Sequence, residues 1–233
     1  MVKGKKITKK RLKEPDEFIT FAEKIILFLR DHLKKIGAGG IIVFILLLSG
    51  VIFQRWESKK EEEANQAFSL AVEIYQRASS PYREASTVEY KNALEKFNEV
   101  IHKFPRTSSG KFSLLYKGNI YLRLDEFEEA IKTYSSSLET MGKVNIYRVF
   151  ALEGLGYAYE GKKDYEKALS AYQKILEVSE GFQLADAHIH IGRCYERLGK
   201  NKEALESYKA FLKVAQKSKM TNVVLRKISL LEK

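Results

Sequence analysis

Three residues in the C-terminal part of the chain, His188, His190 and Cys194, belong to the residue types that bind zinc. If this segment is helical, His190 and Cys194 are four residues apart and share a face, whereas His188 points elsewhere. A zinc site needs more ligands than these two. We therefore expect the three side chains to pack or to line a groove, and we predict neither a metal nor another cofactor.

Sequence motifs for catalysis are also missing. The chain contains no glycine-rich phosphate loop, no Gly-x-Ser-x-Gly elbow and no His-Glu-x-x-His motif. Charged runs such as residues 125–129 are typical of solvated helix faces. The sequence therefore predicts that the protein is not an enzyme, and that its function depends on a binding surface.

The elements that would form such a surface are indicated by an internal repeat. After Gly118, Gly156 and Gly192, a tyrosine follows at the third residue, an alanine at the twelfth and a second tyrosine at the sixteenth. These residues are Tyr121, Tyr159 and Tyr195, then Ala130, Ala168 and Ala204, then Tyr134, Tyr172 and Tyr208. We expect glycine and alanine to bring two antiparallel helices close together, with the aromatic rings filling the space around them.

This pattern resembles the tetratricopeptide repeat, in three copies over residues 111–216. The resemblance implies an all-α solenoid of antiparallel helix pairs. A weaker copy precedes them, in which residues 93–105 fit a second helix but residues 77–81 do not fit the first. A closing helix at residues 220–231 would cover the last apolar face.

The repeat resemblance also implies a protein-binding groove, built from the first helix of each repeat. The expected groove residues are Phe112, Leu115, Asn119 and Leu122, then Phe150, Glu153, Tyr157 and Glu160, then Asp186, Ile189, Arg193 and Glu196. Related repeats that bind a terminal carboxylate use a lysine four residues before an asparagine, but here Leu115 precedes Asn119. The groove is therefore expected to bind apolar helices or extended segments. The alternative is that these side chains contact neighbouring repeats or a second copy of the protein in a homo-oligomer.

A run of eighteen uncharged residues, 36–53, predicts a transmembrane helix. Such a helix is about 27 Å long, close to the ~30 Å hydrocarbon thickness of a bilayer. A cleaved signal peptide does not fit, because a long head precedes the run and no small-residue cleavage site follows it. The expected domains are a cytoplasmic basic tail with an amphipathic juxtamembrane helix (1–35), the transmembrane helix (36–53), the repeat domain (58–217) and the closing helix (218–233).

The charges that flank this run predict its orientation. Residues 1–35 contain eleven lysines and arginines, whereas only Arg55, Lys59 and Lys60 follow shortly after the run. The positive-inside rule then keeps the N-terminus in the cytoplasm and predicts that the repeat domain is exported. Residues 58–233 carry 29 basic and 24 acidic groups without a basic block, so no nucleic acid is expected as a partner.

Four further segments fit a single layout. They are residues 16–18 opening a cytoplasmic helix, 33–37 entering the span, Trp56 at its exit and 226–231 in the closing helix. With the repeats, this layout resembles the YfgM-like family of bacterial inner-membrane proteins, ancillary subunits of the SecYEG translocon. The resemblance implies a bacterial inner-membrane protein with a cytoplasmic N-terminus and periplasmic repeats. It also implies that the repeats contact translocon subunits, periplasmic chaperones or exported chains.

The sequence thus predicts a single-pass membrane protein whose repeats bind other proteins. Two alternatives remain open. Residues 102–108 ahead of a repeat also resemble repeat proteins of outer-membrane and division machinery, which favours a scaffold for envelope assembly. The other alternative is a receptor with cytosol-facing repeats, similar to the N-anchored import receptors of mitochondria.

Overall fold

The computed structural model describes residues 17–80, 86–140, 145–178, 182–215 and 217–233, where all regular structure is helical. Its helices are α1 (Glu17–Ala78), α2 (Thr87–Lys103), α3 (Ser108–Arg123), α4 (Phe127–Thr140), α5 (Asn145–Gly161), α6 (Tyr165–Val178), α7 (Phe182–Arg197), α8 (Asn201–Val214) and α9 (Thr221–Leu231). The chain divides into two compact units, Met1–Ser58 and Lys59–Lys233. The expected basic tail, residues 1–13, lies outside the described residues.

The first unit contains the N-terminal part of α1. Helical structure is continuous from Glu17, so the expected juxtamembrane helix and the apolar run belong to one helix. Within α1, the segment Gly37–Ala78 is long and apolar enough to cross a membrane, and its most apolar stretch is not buried. The large apolar side chains from Ile41 to Phe53 are each at least 49% exposed.

The second unit is a stack of antiparallel helix pairs. Helices α3 and α4, α5 and α6, and α7 and α8 form the three pairs that the repeat predicts. Each helix from α2 to α8 packs on the next one along the chain, and α9 covers α8. The first helices of successive pairs also touch, α3 with α5 and α5 with α7. This arrangement brings the expected groove positions onto adjacent helices.

A fourth pair precedes these three. Its first helix is the end of α1, where Ala71 and Ala78 pack with Tyr90, Ala93 and Phe97 of α2. Residues 77–81 do not fit the first helix of a repeat because α1, which the sequence predicts to continue through Tyr75, ends at Ala78. The end of α1 therefore belongs to the repeat stack.

The side chain of Glu61 in α1 also caps α3, the first helix of the next pair. The backbone N–H groups of Ser108 and Ser109 donate to the Glu61 carboxylate at 3.0 and 3.4 Å. Thr107 Oγ1 accepts from the Gly110 N–H at 3.0 Å. These bonds satisfy donors that the first turn of α3 would otherwise leave unpaired, and a carboxylate also suits the positive end of the helix dipole.

The glycine of each repeat makes room for a tyrosine ring. A Cβ atom on Gly118 would lie 2.6 Å from a ring carbon of Tyr134, and one on Gly192 would lie equally close to Tyr208. Carbon atoms in contact prefer a separation of about 3.5–4.0 Å, so no larger residue fits without movement. The rings therefore lie directly against the glycines, as well as filling the space around the helix contact. The alanines are fully buried, but the nearest group to each glycine is the ring.

One turn geometry recurs in the three pairs. The seventh residue after the repeat glycine has a positive φ, at 57° in Asp125, 61° in Lys163 and 71° in Gly199. This left-handed conformation ends the first helix and reverses the chain. The shared turn and the shared ring contact hold each pair in a similar arrangement, and they set the first helices side by side.

Candidate protein-binding groove

The first helices of three successive pairs border a cleft of about 530 Å³, which we call the aromatic cleft. Its aromatic lining consists of Phe68 from the end of α1, Phe112 and Tyr116 from α3, Tyr134 from α4, and Tyr147, Phe150 and Tyr157 from α5. The volume falls within the roughly 300–1,000 Å³ that is typical of ligand clefts. It can accept bulky side chains of a bound polypeptide.

The inner walls of the aromatic cleft are held by contacts between rings. Phe112 and Tyr147 meet edge to face with centroids 4.5 Å apart, and Phe68 and Tyr116 meet in the same way at 5.5 Å. Gly154 lies against the ring of Tyr134. Edge-to-face pairs add a preferred geometry to the burial of the rings. These walls are therefore formed before any ligand arrives.

The rim of the aromatic cleft is exposed. Phe150 is 46% exposed and Tyr157 is 39% exposed. Among the described residues of 59–233, they are the aromatic side chains in the exposed class. Aromatic residues are enriched at protein–protein contacts, where they bury large areas with little loss of conformational freedom. Two of them beside one cleft indicate a surface suited to a protein partner.

A cluster of polar side chains lies next to the rim of the aromatic cleft. The Tyr157 hydroxyl donates to Glu153 Oε1 at 3.3 Å and lies 3.0 Å from His190 Nε2 of the next first helix. The His190 ring is buried and stacks on Tyr172 with centroids 4.8 Å apart. Nearby on α7, burial and the negative charge of Glu153 raise the pKa of the Asp186 carboxyl. Glu153 and Asp186 thus place negative charge beside the aromatic rim.

Two other carboxylates link neighbouring helix pairs. Glu160 accepts a hydrogen bond from Tyr172 at 2.7 Å and binds Arg193 of the next pair through two contacts of 2.9 and 2.6 Å. Glu196 accepts from Tyr208 at 2.8 Å and pairs with Lys227 of the closing helix. We call these the carboxylate bridges. Charge-assisted bonds of this kind fix one pair relative to the next.

The twelve expected groove residues are thus found in different settings. Phe112, Leu115, Asn119, Phe150, Glu153 and Tyr157 line the aromatic cleft. Leu122 and Ile189 pack against buried clusters. Glu160, Arg193 and Glu196 form the carboxylate bridges, and Asp186 lines a separate depression beside the end of α8. Contact with neighbouring repeats therefore accounts for several positions that the family pattern assigns to the groove.

Sequence reasoning missed Phe68, Tyr116 and Tyr147 as parts of the cleft. Phe68 comes from a helix that lacks the repeat glycine, so only its apolar spacing with Ala64 and Ala71 could have indicated a packed face. Tyr116 and Tyr147 lie outside the four positions that define the repeat. They reach the cleft because adjacent first helices are in contact.

The residues with zinc-binding side chains are engaged in packing. Cys194 is fully buried, and burial raises the pKa of its thiol to about 12. His190 faces Tyr157 and Tyr172, and the imidazole of His188 is partly buried. In the described part of the chain, no group of three His, Cys, Asp or Glu side chains is arranged to hold a metal ion.

Residues 112–181 and 148–217 match the tetratricopeptide repeat. Solved structures have the same fold at low identity. The apo form of RapI aligns with a TM-score of 0.61 and 17% identity over 73% of this chain, which spans about half (48%) of RapI. A tetratricopeptide repeat protein from Parabacteroides merdae ATCC 43184 aligns with a TM-score of 0.56 and 21% identity, covering 72% of this chain and 60% of its own.

MamA from Desulfovibrio magneticus RS-1 aligns with a TM-score of 0.52 and 18% identity, covering 67% of this chain and 77% of its own. No curated protein sequence matches the chain significantly. At these identities, the likeness to solved structures establishes the fold alone. The second unit is a tetratricopeptide-repeat solenoid, a fold typical of scaffolds for protein–protein interaction.

Proposed function

We propose that this protein is a membrane-anchored scaffold whose exported tetratricopeptide repeats bind polypeptides or chaperones near the protein-export translocon. The observation that carries the proposal is the aromatic cleft, with Phe150 and Tyr157 exposed on its rim. An apolar cleft of this kind offers burial and shape to a partner segment. The expected association with the translocon follows from the resemblance to the YfgM-like family.

The anchor is the apolar part of α1. Its exposed isoleucines, leucines and phenylalanines would be unfavourable in water, and a lipid bilayer would cover them. The excess of lysine and arginine before residue 36 supports a cytoplasmic N-terminus and an exported repeat domain.

The mechanism is tethering. An anchored cleft stays within a short distance of the membrane, so a chain or chaperone that is also held there meets it at a high effective concentration. A modest affinity for each segment is then sufficient, and the scaffold can release one partner and bind another.

Topology is tested on the full chain in intact spheroplasts. Added protease is expected to digest residues 59–233 and to spare the N-terminal tail. Protection of the repeats until the membrane is lysed would contradict the export of this domain and would favour the cytosol-facing receptor.

Partner identity is tested by photocrosslinking in living cells. A photoreactive phenylalanine analogue at Phe150 is expected to crosslink translocon subunits, periplasmic chaperones or exported chains. The control places the analogue at Val88, which is exposed on α2 outside the aromatic cleft. Crosslinks from Phe150 to proteins of outer-membrane or cell-wall assembly alone would favour the envelope scaffold instead.

A further inference from the structure

We propose that the aromatic cleft selects polypeptide segments in which a lysine or arginine lies next to a bulky apolar side chain. This inference rests on the proposed function and specifies the chemical class of segment that the cleft binds.

The apolar requirement comes from the shape of the cleft. Its interior is bordered by Phe68, Phe112 and Tyr147, and Phe150 stands exposed at the rim. A leucine or phenylalanine of the partner would bury its surface against these rings. The burial of such a side chain is the main source of affinity in a cleft with preformed walls.

The requirement for a positive charge comes from Glu153. The Glu153 side chain lines the aromatic cleft and is 28% exposed. Its contacts are the neutral Tyr157 hydroxyl at 3.3 Å and His190 Nε2 at 3.5 Å, and the histidine is charged only when protonated. Among the described residues, no lysine or arginine forms an ion pair with Glu153.

The carboxylates of the carboxylate bridges differ from Glu153 because each has a basic partner. Glu160 is neutralised by Arg193, and Glu196 is neutralised by Lys227. Asp186 lies close enough to Glu153 for the two negative charges to interact, although it lines the separate depression together with Lys213 and Lys217. In the described part of the chain, the Glu153 carboxylate is therefore left without a lysine or arginine partner.

A cation supplied by the partner would complete this surface. A lysine or arginine at the rim could approach Glu153 while its aliphatic stem lies on Phe150 or Tyr157, and its charge would be attracted to the faces of these rings. An acidic residue at the same place would be repelled by Glu153 and Asp186. The attraction of a basic residue and the repulsion of an acidic residue both favour the basic segment. Selective surfaces combine these two effects to distinguish partners.

The test uses the full chain in nanodiscs of phosphatidylcholine and three peptides that carry the same neutral dye. Each peptide contains a Leu-Phe pair followed by lysine, glutamine or glutamate, and fluorescence anisotropy measures binding, with empty nanodiscs as the reference for lipid binding. We expect the lysine peptide to bind about three- to tenfold more tightly than the glutamine peptide, and the glutamate peptide to bind most weakly.

Two variants assign this preference to one carboxylate. Glu153→Gln is expected to remove most of the difference between the lysine and glutamine peptides, whereas Glu153→Lys is expected to favour the glutamate peptide. Glu177→Gln is the matched control, because Glu177 is exposed on α6 outside the aromatic cleft. Far-UV circular dichroism verifies that each variant keeps its helices.

Three outcomes would overturn the inference. The first is equal binding of the three peptides, and the second is a lysine preference that Glu153→Gln leaves unchanged. In both cases, if Phe150→Ala no longer binds the peptides, the cleft is still the binding site of the wild type and the proposed function stands. The third is that none of the peptides binds. If the photoreactive analogue at Phe150 also gives no crosslinks, the proposed function is overturned as well.

Discussion

At the scale of single residues, the glycine–tyrosine contact is the tightest feature of the repeat. The rings of Tyr134, Tyr172 and Tyr208 are buried, and each hydroxyl is fixed by a bond to a side chain on the first helix. A ring that is held at its tip cannot move away from the helix beneath it. The repeat therefore requires glycine at the point where the ring crosses that helix.

Gly156→Ala tests this requirement. The new Cβ would overlap the Tyr172 ring, so we expect a destabilisation of about 1–3 kcal/mol, the usual cost of overpacking a close-packed core. The measurement is the thermal unfolding midpoint of the full chain in detergent, followed by far-UV circular dichroism. Ser170→Ala on the exposed face of α6 serves as the control and should leave the midpoint nearly unchanged. A midpoint for Gly156→Ala equal to that of the wild type would show that the ring has room to move.

His188 provides a second prediction at this scale. Burial lowers the pKa of its imidazole below the ordinary value of 6.5. The folded state therefore takes up a proton less readily than the unfolded state, so the contribution of His188 to stability is full above pH 6.5 and is lost as the pH falls from there through the lowered pKa. We expect His188→Gln to reduce the loss of the unfolding midpoint over this acidic range.

The measurement is the thermal unfolding midpoint of His188→Gln and of the wild type across that pH range. His102→Gln is the matched variant, because His102 is exposed near the end of α2. Its pH profile should follow that of the wild type. If both substitutions changed the profile equally, burial of His188 would not be the cause.

At the scale of elements, the packing inside each helix pair could be predicted from the sequence. Contact between neighbouring repeats was an alternative, but the residues that pair across it could not be predicted. Glycine, alanine and tyrosine recur at fixed spacing because every pair needs the same close contact. The carboxylate bridge between Glu160 and Arg193 has no such recurrence, since the first strong repeat has Leu122 where the others have Glu160 and Glu196. A contact made in only some repeats leaves no periodic signal.

The pair formed by α1 and α2 was missed in part for a related reason. Its first helix packs through Ala71, Ala78 and Phe68 and has no glycine beneath a tyrosine. The helix also continues the apolar segment, so the sequence of α1 fits both a transmembrane helix and the first helix of a repeat. Its contacts with α2 and α3 identify the part that belongs to the repeat stack.

Arg193→Met tests the link between pairs. Removing the guanidinium leaves Glu160 partly buried with Tyr172 as its remaining donor, so we expect a loss of about 1–3 kcal/mol in unfolding free energy. The measurement is urea denaturation of the full chain in detergent. A double-mutant cycle with Glu160→Gln should give a coupling energy of at least about 0.5 kcal/mol.

An exposed ion pair supplies the control for this experiment. Lys167 pairs with Asp164 within the same turn of the chain, and its side chain is largely exposed. Lys167→Met should leave the unfolding free energy nearly unchanged, because exposed pairs contribute little. Equal losses in Arg193→Met and Lys167→Met would mean that the carboxylate bridge adds nothing specific to the joining of repeats.

At the scale of the whole molecule, the chain combines a repeat stack with an apolar segment whose large side chains are exposed. The sequence predicts both parts, because each depends on composition over many residues. The aromatic cleft was predicted only in outline, since its inner wall includes Phe68 from a helix whose place in the stack the sequence did not reveal. Local pattern identifies elements more readily than the surfaces that arise between them.

The role of the apolar segment is tested by Leu46→Lys combined with Leu47→Lys. Both leucines are exposed on α1, and a lysine near the centre of a bilayer costs about 2.5–3.5 kcal/mol on insertion scales. If this part of α1 spans the membrane, the double variant should no longer remain with membranes after carbonate extraction and flotation. The control combines Leu70→Lys with Val88→Lys, two exposed positions in the repeat unit, and it should float with membranes as the wild type does. Flotation of both double variants would place the anchor elsewhere. Release of both would contradict an anchor formed by the apolar segment alone, because the repeat surface would then also be needed to hold the protein at the membrane.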